Sequence, residues 1–170
     1  MTIRRLVRGA IAGAAAAVGL ACSGGNRPVD PTQPAAVVTG SNRVSYRAET
    51  FVLKSFPVQL STVVTATNVG DQPVRLESDG CEAFLLAYRR PDRSGPPAWD
   101  QRQVIGCTRI LKWWDLAPGD SVQLRAYTRA QDILGDSLPN GQYYLSAVPH
   151  TDQSLAVPAG DVRLDLPGKP

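Results

Sequence analysis

Residues 58–68, "VQLSTVVTATN", carry Val58, Leu60, Thr62, Val64 and Ala66 at every second position. A period of two marks a strand with one buried face, because successive side chains of an extended chain point to opposite sides. A helix would scatter the same residues around its circumference. "NVGDQPV" then supplies a turn and a restart, through residue types that favour tight turns. The pattern repeats: "CEAFLLAYR" is apolar on both faces, the loop "RPDRSGPPA" must turn before Trp99, and "TRILKWWDL" leads into "APGD". "SVQLRAYTRA", then "QYYLSAV" introduced by "LPNG", and finally "DVRLDL" complete the series before the terminal prolines. About eight strands result, with turn signals spaced roughly 8–15 residues apart. "RAQDILGDSL" contains Gly135 and is followed by Pro139, which predicts a loop or a short turn there. An all-β fold follows, an antiparallel sandwich over residues 43–167.

The first 21 residues have a different character. Arg4, Arg5 and Arg8 precede an apolar, alanine-rich run from Ala10 to Ala21, the layout of a secretory signal. About 12 apolar residues are too few to span a bilayer, which takes roughly 20. No other stretch of the sequence is long or apolar enough to span one. The run ends in "LACSGG", with Cys22 after the small residue Ala21. That ending resembles the lipobox of bacterial lipoproteins, although Gly19 stands where the family prefers leucine. The resemblance implies cleavage before Cys22 and acylation of its thiol, which would tie the protein to a membrane. Two or three acyl chains, at about 0.8 kcal/mol per buried CH₂, anchor stably where one binds only marginally. By the same analogy, Ser23 rather than aspartate after the cysteine favours the outer membrane of a cell that has one.

Removing the leader changes the charge balance. The chain has 18 Lys+Arg and 15 Asp+Glu, and the three arginines of the leader account for the whole excess. The remainder is formally neutral and carries no electrostatic footprint for nucleic acid. Residues 22–42 follow as a Pro/Gly-rich flexible linker between the lipidated cysteine and the domain. Three cysteines are an odd number in an exported chain. Acylation of Cys22 leaves Cys81 and Cys107, which in an oxidising compartment are expected to form a disulfide. It would close a loop of about 27 residues and contribute roughly 3–4 kcal/mol on the chain-entropy view.

Residues 58–148 resemble the BsuPI-type proteinase inhibitor domain, a small immunoglobulin-like sandwich. "TNVGDQPVRL", "FLLAYRRPDRSGPPAW", "LAPGDSVQL" and "LPNGQYYLSAV" carry the likeness, with Gly95 and Trp99 matching a hairpin that returns to a tryptophan. These are turn and core positions, so they imply a fold more than an activity. The segment with Cys107 and the paired tryptophans is not part of the family's pattern. "LPNGQYY" also has the form of a tyrosine corner, in which Tyr143 would bond back to upstream backbone.

No catalytic, cofactor or metal constellation emerges. "GDSL" at residues 135–138 and "GDS" at 119–121 suggest a serine hydrolase, but such an enzyme needs a histidine base oriented by a carboxylate. His150 is the single histidine, Ala147 stands where a D-x-x-H motif needs its acid, and "VPHTD" places it in an exposed loop. Asp115, Asp120 and Asp132 read as turn and solvent-facing acids. A binding surface is the better expectation. In "KWW" one of Trp113 and Trp114 must enter the core and the other face out, since neighbours on a strand point opposite ways. The outward ring, with Lys112 and with Arg93 and Pro96 of the 91–98 loop, forms the expected partner surface, for a protein or an envelope polymer. The expected function is thus a lipid-anchored, non-enzymatic binding or envelope-structural module. The family resemblance implies the alternative of protease inhibition through the exposed loop 89–98.

Overall fold

A computed structural model of the protein describes residues 36–53, 57–151, 153 and 155–169. The leader, Cys22, Ser23 and the linker up to residue 35 lie outside the described residues. Ten strands are present: β1 (Val37–Thr39), β2 (Val44–Leu53), β3 (Gln59–Asn68), β4 (Val74–Asp79), β5 (Ala83–Tyr88), β6 (Trp99–Asp100), β7 (Leu111–Leu116), β8 (Ser121–Arg129), β9 (Gly141–Pro149) and β10 (Val157–Leu164). All pair antiparallel, in sheets ordered β1-β2-β3-β8, β10-β9-β5-β6 and β4-β7. This is the expected all-β sandwich, with more strands than the turn spacing suggests. The two shortest are β6 and β1. The latter lies inside the span that composition assigns to the linker, where the β-branched Val38 turns inward and packs on the core.

The segment expected to be loop holds a short helix, α1 (Ala130–Leu134). Arg129 and Asp132 brace its start, and Ala130, Ile133 and Leu134 form its buried face. Gly135 ends it, as its place in the sequence predicts.

Alternation sorts the core. Leu60, Thr62, Val64 and Ala66 of β3 are buried, as are Val44, Tyr46 and Ala48 of β2 and Leu124 and Ala126 of β8. Facing them are Leu85 and Ala87 of β5 and Tyr143, Leu145 and Ala147 of β9. In β10 a bulge between Pro158 and Asp161 changes the parity, so that Val157, Ala159, Val162 and Leu164 all face inward. β5 is buried on both faces, as its composition predicts; Leu86 and Tyr88 join Val148 in a second cluster. The tyrosine corner is present: the Tyr143 hydroxyl donates to the Pro139 carbonyl at 2.6 Å.

Two buried carboxamides join the sheets. Asn68 is fully buried; its Nδ2 donates to the carbonyls of Gln72 (2.8 Å) and Leu116 (3.0 Å), and its Oδ1 accepts from the Gly70 amide. It thereby holds the β4–β7 ribbon to the end of β3. Gln101 is 2% exposed; its Oε1 accepts from the Leu85 amide at 2.8 Å and its Nε2 donates to the Tyr127 carbonyl at 2.7 Å, bridging β5 and β8. The preceding Asp100 steadies this turn by accepting from the backbone amide and guanidinium of Arg102. The Arg102 side chain holds the Asp100 carboxyl below the usual carboxylate range. Its contribution to stability is therefore present above the ordinary carboxylate pKa and is lost as pH falls through the lowered one.

The Cys81–Cys107 disulfide is formed, with Cα atoms 5.3 Å apart. It draws the insertion against residue 80, where a Cβ would lie 1.8 Å from the Thr108 carbonyl oxygen and φ is +98°, so only glycine fits.

Asn68→Ala should strip the donors from two carbonyls beneath the ribbon. Urea titration is expected to show a loss of about 2–4 kcal/mol, against a change within about 0.5 kcal/mol for exposed Val69→Ala. An Asn68 variant as stable as the parent would mean that apolar packing of Leu76 and Leu116 holds the ribbon alone.

Candidate binding surface

The ribbon is a two-stranded sheet whose register decides which tryptophan is exposed. Leu76 lies opposite Trp114 and Glu77 opposite Trp113. Leu76 is fully buried, so the face it shares with Trp114 is the inner one, and Trp114 packs on the core. Trp113 projects from the other face and is 56% exposed. Arg75 and Asp115 pair across the strands through two hydrogen bonds of 2.6 and 3.0 Å. This contact with Arg75 holds the Asp115 carboxyl below its ordinary range.

Five of the eight exposed large apolar side chains among the described residues fall between positions 104 and 113: Val104, Ile105, Ile110, Leu111 and Trp113. They flank the disulfide and the start of β7. Two adjoining clefts open there. One, of about 310 Å³, is lined by Leu111, Trp113, Trp114, Lys112 and Glu82. The other, of about 430 Å³, runs from Cys81 and Ile105 to Arg125 and Tyr127 on β8. Glu82 and Lys112 belong to both, and their 2.9 Å ion pair forms the saddle between them. The second Glu82 oxygen accepts from the Arg125 backbone amide at 3.1 Å.

The expected surface is therefore only partly assembled. Lys112, Trp113 and Trp114 come together, but Arg93 and Pro96 do not join them. The 91–98 loop leaves the far end of β5, a six-residue strand of about 20 Å, from the end that carries Glu82. Arg93 is turned back onto the sheet, donating to the carbonyls of Leu145 (3.0 Å) and Gly160 (3.2 Å), while Pro96 is exposed. Within the loop, the Ser94 backbone amide is the main group that lowers the Asp92 carboxyl's pKa.

His150 is not the exposed loop residue that "VPHTD" suggests. It is half-buried, with Nδ1 3.1 Å from both the Cys81 carbonyl and an Asp79 oxygen, and its ring meets the edge of Phe84. The serines of the two "GDS" strings lie elsewhere: Ser121 bonds to Thr67 across β3, and Ser137 sits exposed after α1. Asp115, Asp120 and Asp132 serve the ribbon, a turn and a helix start.

Sequence reasoning did not single out Glu82, Ile105 or Leu111. Ile105 and Leu111 were detectable as apolar residues in a segment with no alternation to bury them; Glu82 had no such signal. Comparison of the sequence with protein-family models and with curated proteins gives no match.

The two tryptophans should separate on mutation. Trp114→Ala is expected to lower stability by about 2–4 kcal/mol, and Trp113→Ala to change it by no more than about 0.5 kcal/mol. Thermal unfolding of the two variants checks this, and equal losses would mean that both rings are structural.

Proposed function

We propose that this chain is an exported, lipid-anchored, non-enzymatic binding module of the cell envelope, which recognises a protein partner through the cleft beside Trp113. The observation that carries the reading is the concentration of exposed apolar side chains around a disulfide-braced ribbon. Contiguous apolar surface is costly to leave in water and commonly marks an interaction site. Large aromatic side chains are the usual energetic centres of such sites. Here the ring stands on a paired strand whose backbone is already fixed, so little order is lost on binding. The anchor in this reading is acylated Cys22, and by analogy with lipoprotein sorting Ser23 favours the outer membrane of a cell that has one.

Protease inhibition of the BsuPI type is the second reading, and the clasp of Arg93 favours it. A loop held at two backbone carbonyls keeps its shape when it enters an enzyme's cleft. This reading places recognition at residues 89–98, far from Trp113.

A photo-crosslinking residue at Leu111, in the full chain and in living cells, should trap a discrete membrane-fraction protein. The same residue at Asp71, beyond the far end of the ribbon, should trap none. Mass spectrometry of the purified chain should find an acylated Cys22 as its first residue. Equal trapping from both positions, or none from either, contradicts the cleft. If the loop is the site instead, Arg93→Ala weakens inhibition of a susceptible protease and Trp113→Ala does not.

A further inference from the structure

The outer face of the first sheet carries a second cavity that shares no lining residue with the cleft beside Trp113. It measures about 300 Å³ and is lined by Arg47, Glu49, Phe51, Val63, Thr65 and Gln123. All six are odd-numbered residues of β2, β3 and β8, and the registers Glu49–Val63, Arg47–Thr65 and Thr65–Gln123 place them side by side on one face. Arg47 and Glu49 are paired at 2.5 Å, so the cavity's charges cancel internally. What it offers a ligand is a guanidinium, a carboxylate, an amide and a hydroxyl above an aromatic and aliphatic floor.

The next row of the same face is Phe51, Ser61 and Tyr127. Tyr127 is 59% exposed, and Gln123 Oε1 accepts from Arg125 beside it. Phe51 and Tyr127 are thus two strands apart, about 10 Å at the usual strand spacing, with only the small Ser61 between them.

We infer that this face binds an extended chain of linked hexose rings. Sugar rings have apolar faces that stack on aromatic side chains and equatorial hydroxyls that both donate and accept hydrogen bonds. The site supplies both kinds of group: Arg47 and Glu49 offset each other's charge, and the Arg125 guanidinium between Gln123 and Tyr127, held on Gln123 Oε1, is a further donor for hydroxyls. The separation of Phe51 and Tyr127 suits alternate rings of an extended chain. A protein partner is the poorer match, because polar residues dominate this face and no continuous apolar patch crosses it.

The test uses the full chain, purified in a detergent without sugar headgroups, and titration calorimetry with chitohexaose, cellohexaose and chitobiose. One hexaose at least should bind, and the preferred one identifies the ring type. Phe51→Ala should abolish binding, and Phe51→Tyr should restore it. Tyr127→Ala, at an exposed position that leaves folding intact, should weaken the hexaose about tenfold and leave chitobiose unchanged. Trp113→Ala should bind sugar like the parent, which keeps this result separate from the fate of the protein-binding cleft. Absence of heat and of amide NMR shifts with both hexaoses at millimolar concentration would overturn the inference. So would hexaose binding that survives both Phe51→Ala and Tyr127→Ala.

Discussion

One carboxamide closes the sandwich where its sheets run out of strands. β6 is two residues long and pairs only with Leu86 and Ala87, so the Leu85 amide beyond it has no strand neighbour on that side. Tyr127 faces the same problem on β8, whose odd-numbered residues direct their peptide groups away from β3. Gln101 meets both needs with its two ends, and Glu82 does the same for the Arg125 amide one step along the strand. An unpaired buried amide or carbonyl costs about 1–3 kcal/mol, so one side chain that satisfies two of them is worth more than its size suggests.

The same contacts shape what the surface can recognise. Side chains that occupy the free edge of β8 deny it to an added strand, a common route to unwanted pairing. Recognition of a protein partner is left to side chains, and the exposed large apolar ones concentrate on the insertion between β6 and β8. Cys107 within it is tied by the disulfide to the turn between β4 and β5, its strand is paired with β4, and Asn68 fastens the ribbon to the main sheet. Glu82 belongs at once to the β8 edge and to the saddle of the cleft, so the partner surface and the sandwich closure share a residue.

Much of this was legible in the residues. Alternation in "VQLSTVVTATN" named the buried face of β3, the "LPNGQYY" pattern announced the Tyr143 corner, and cysteine arithmetic paired Cys81 with Cys107. Strand alternation also required the two tryptophans to part, though only the register opposite Leu76 and Glu77 decided which one is exposed. What escaped were contacts whose logic is three-dimensional. "WDQRQ" gives no hint that Gln101 reaches backbone 16 residues before it and 26 after. The 91–98 loop was expected beside Trp113 as a Gly/Pro-rich loop presented at the sandwich edge, but it leaves the end of β5 opposite to Glu82. His150 was expected in solvent because it follows a strand, and nothing local predicted that the Cys81 turn would pack against it.

Amide hydrogen exchange at Leu85, followed by NMR in the intact chain, tests the closure of the sandwich most directly. If Gln101 bridges β5 and β8 as described, the Leu85 amide exchanges only by global unfolding, with protection equal to that of Leu124 and Leu145 in the core. Exchange orders of magnitude faster than at those residues would show that this edge opens on its own and that the bridge does not hold the sheets together.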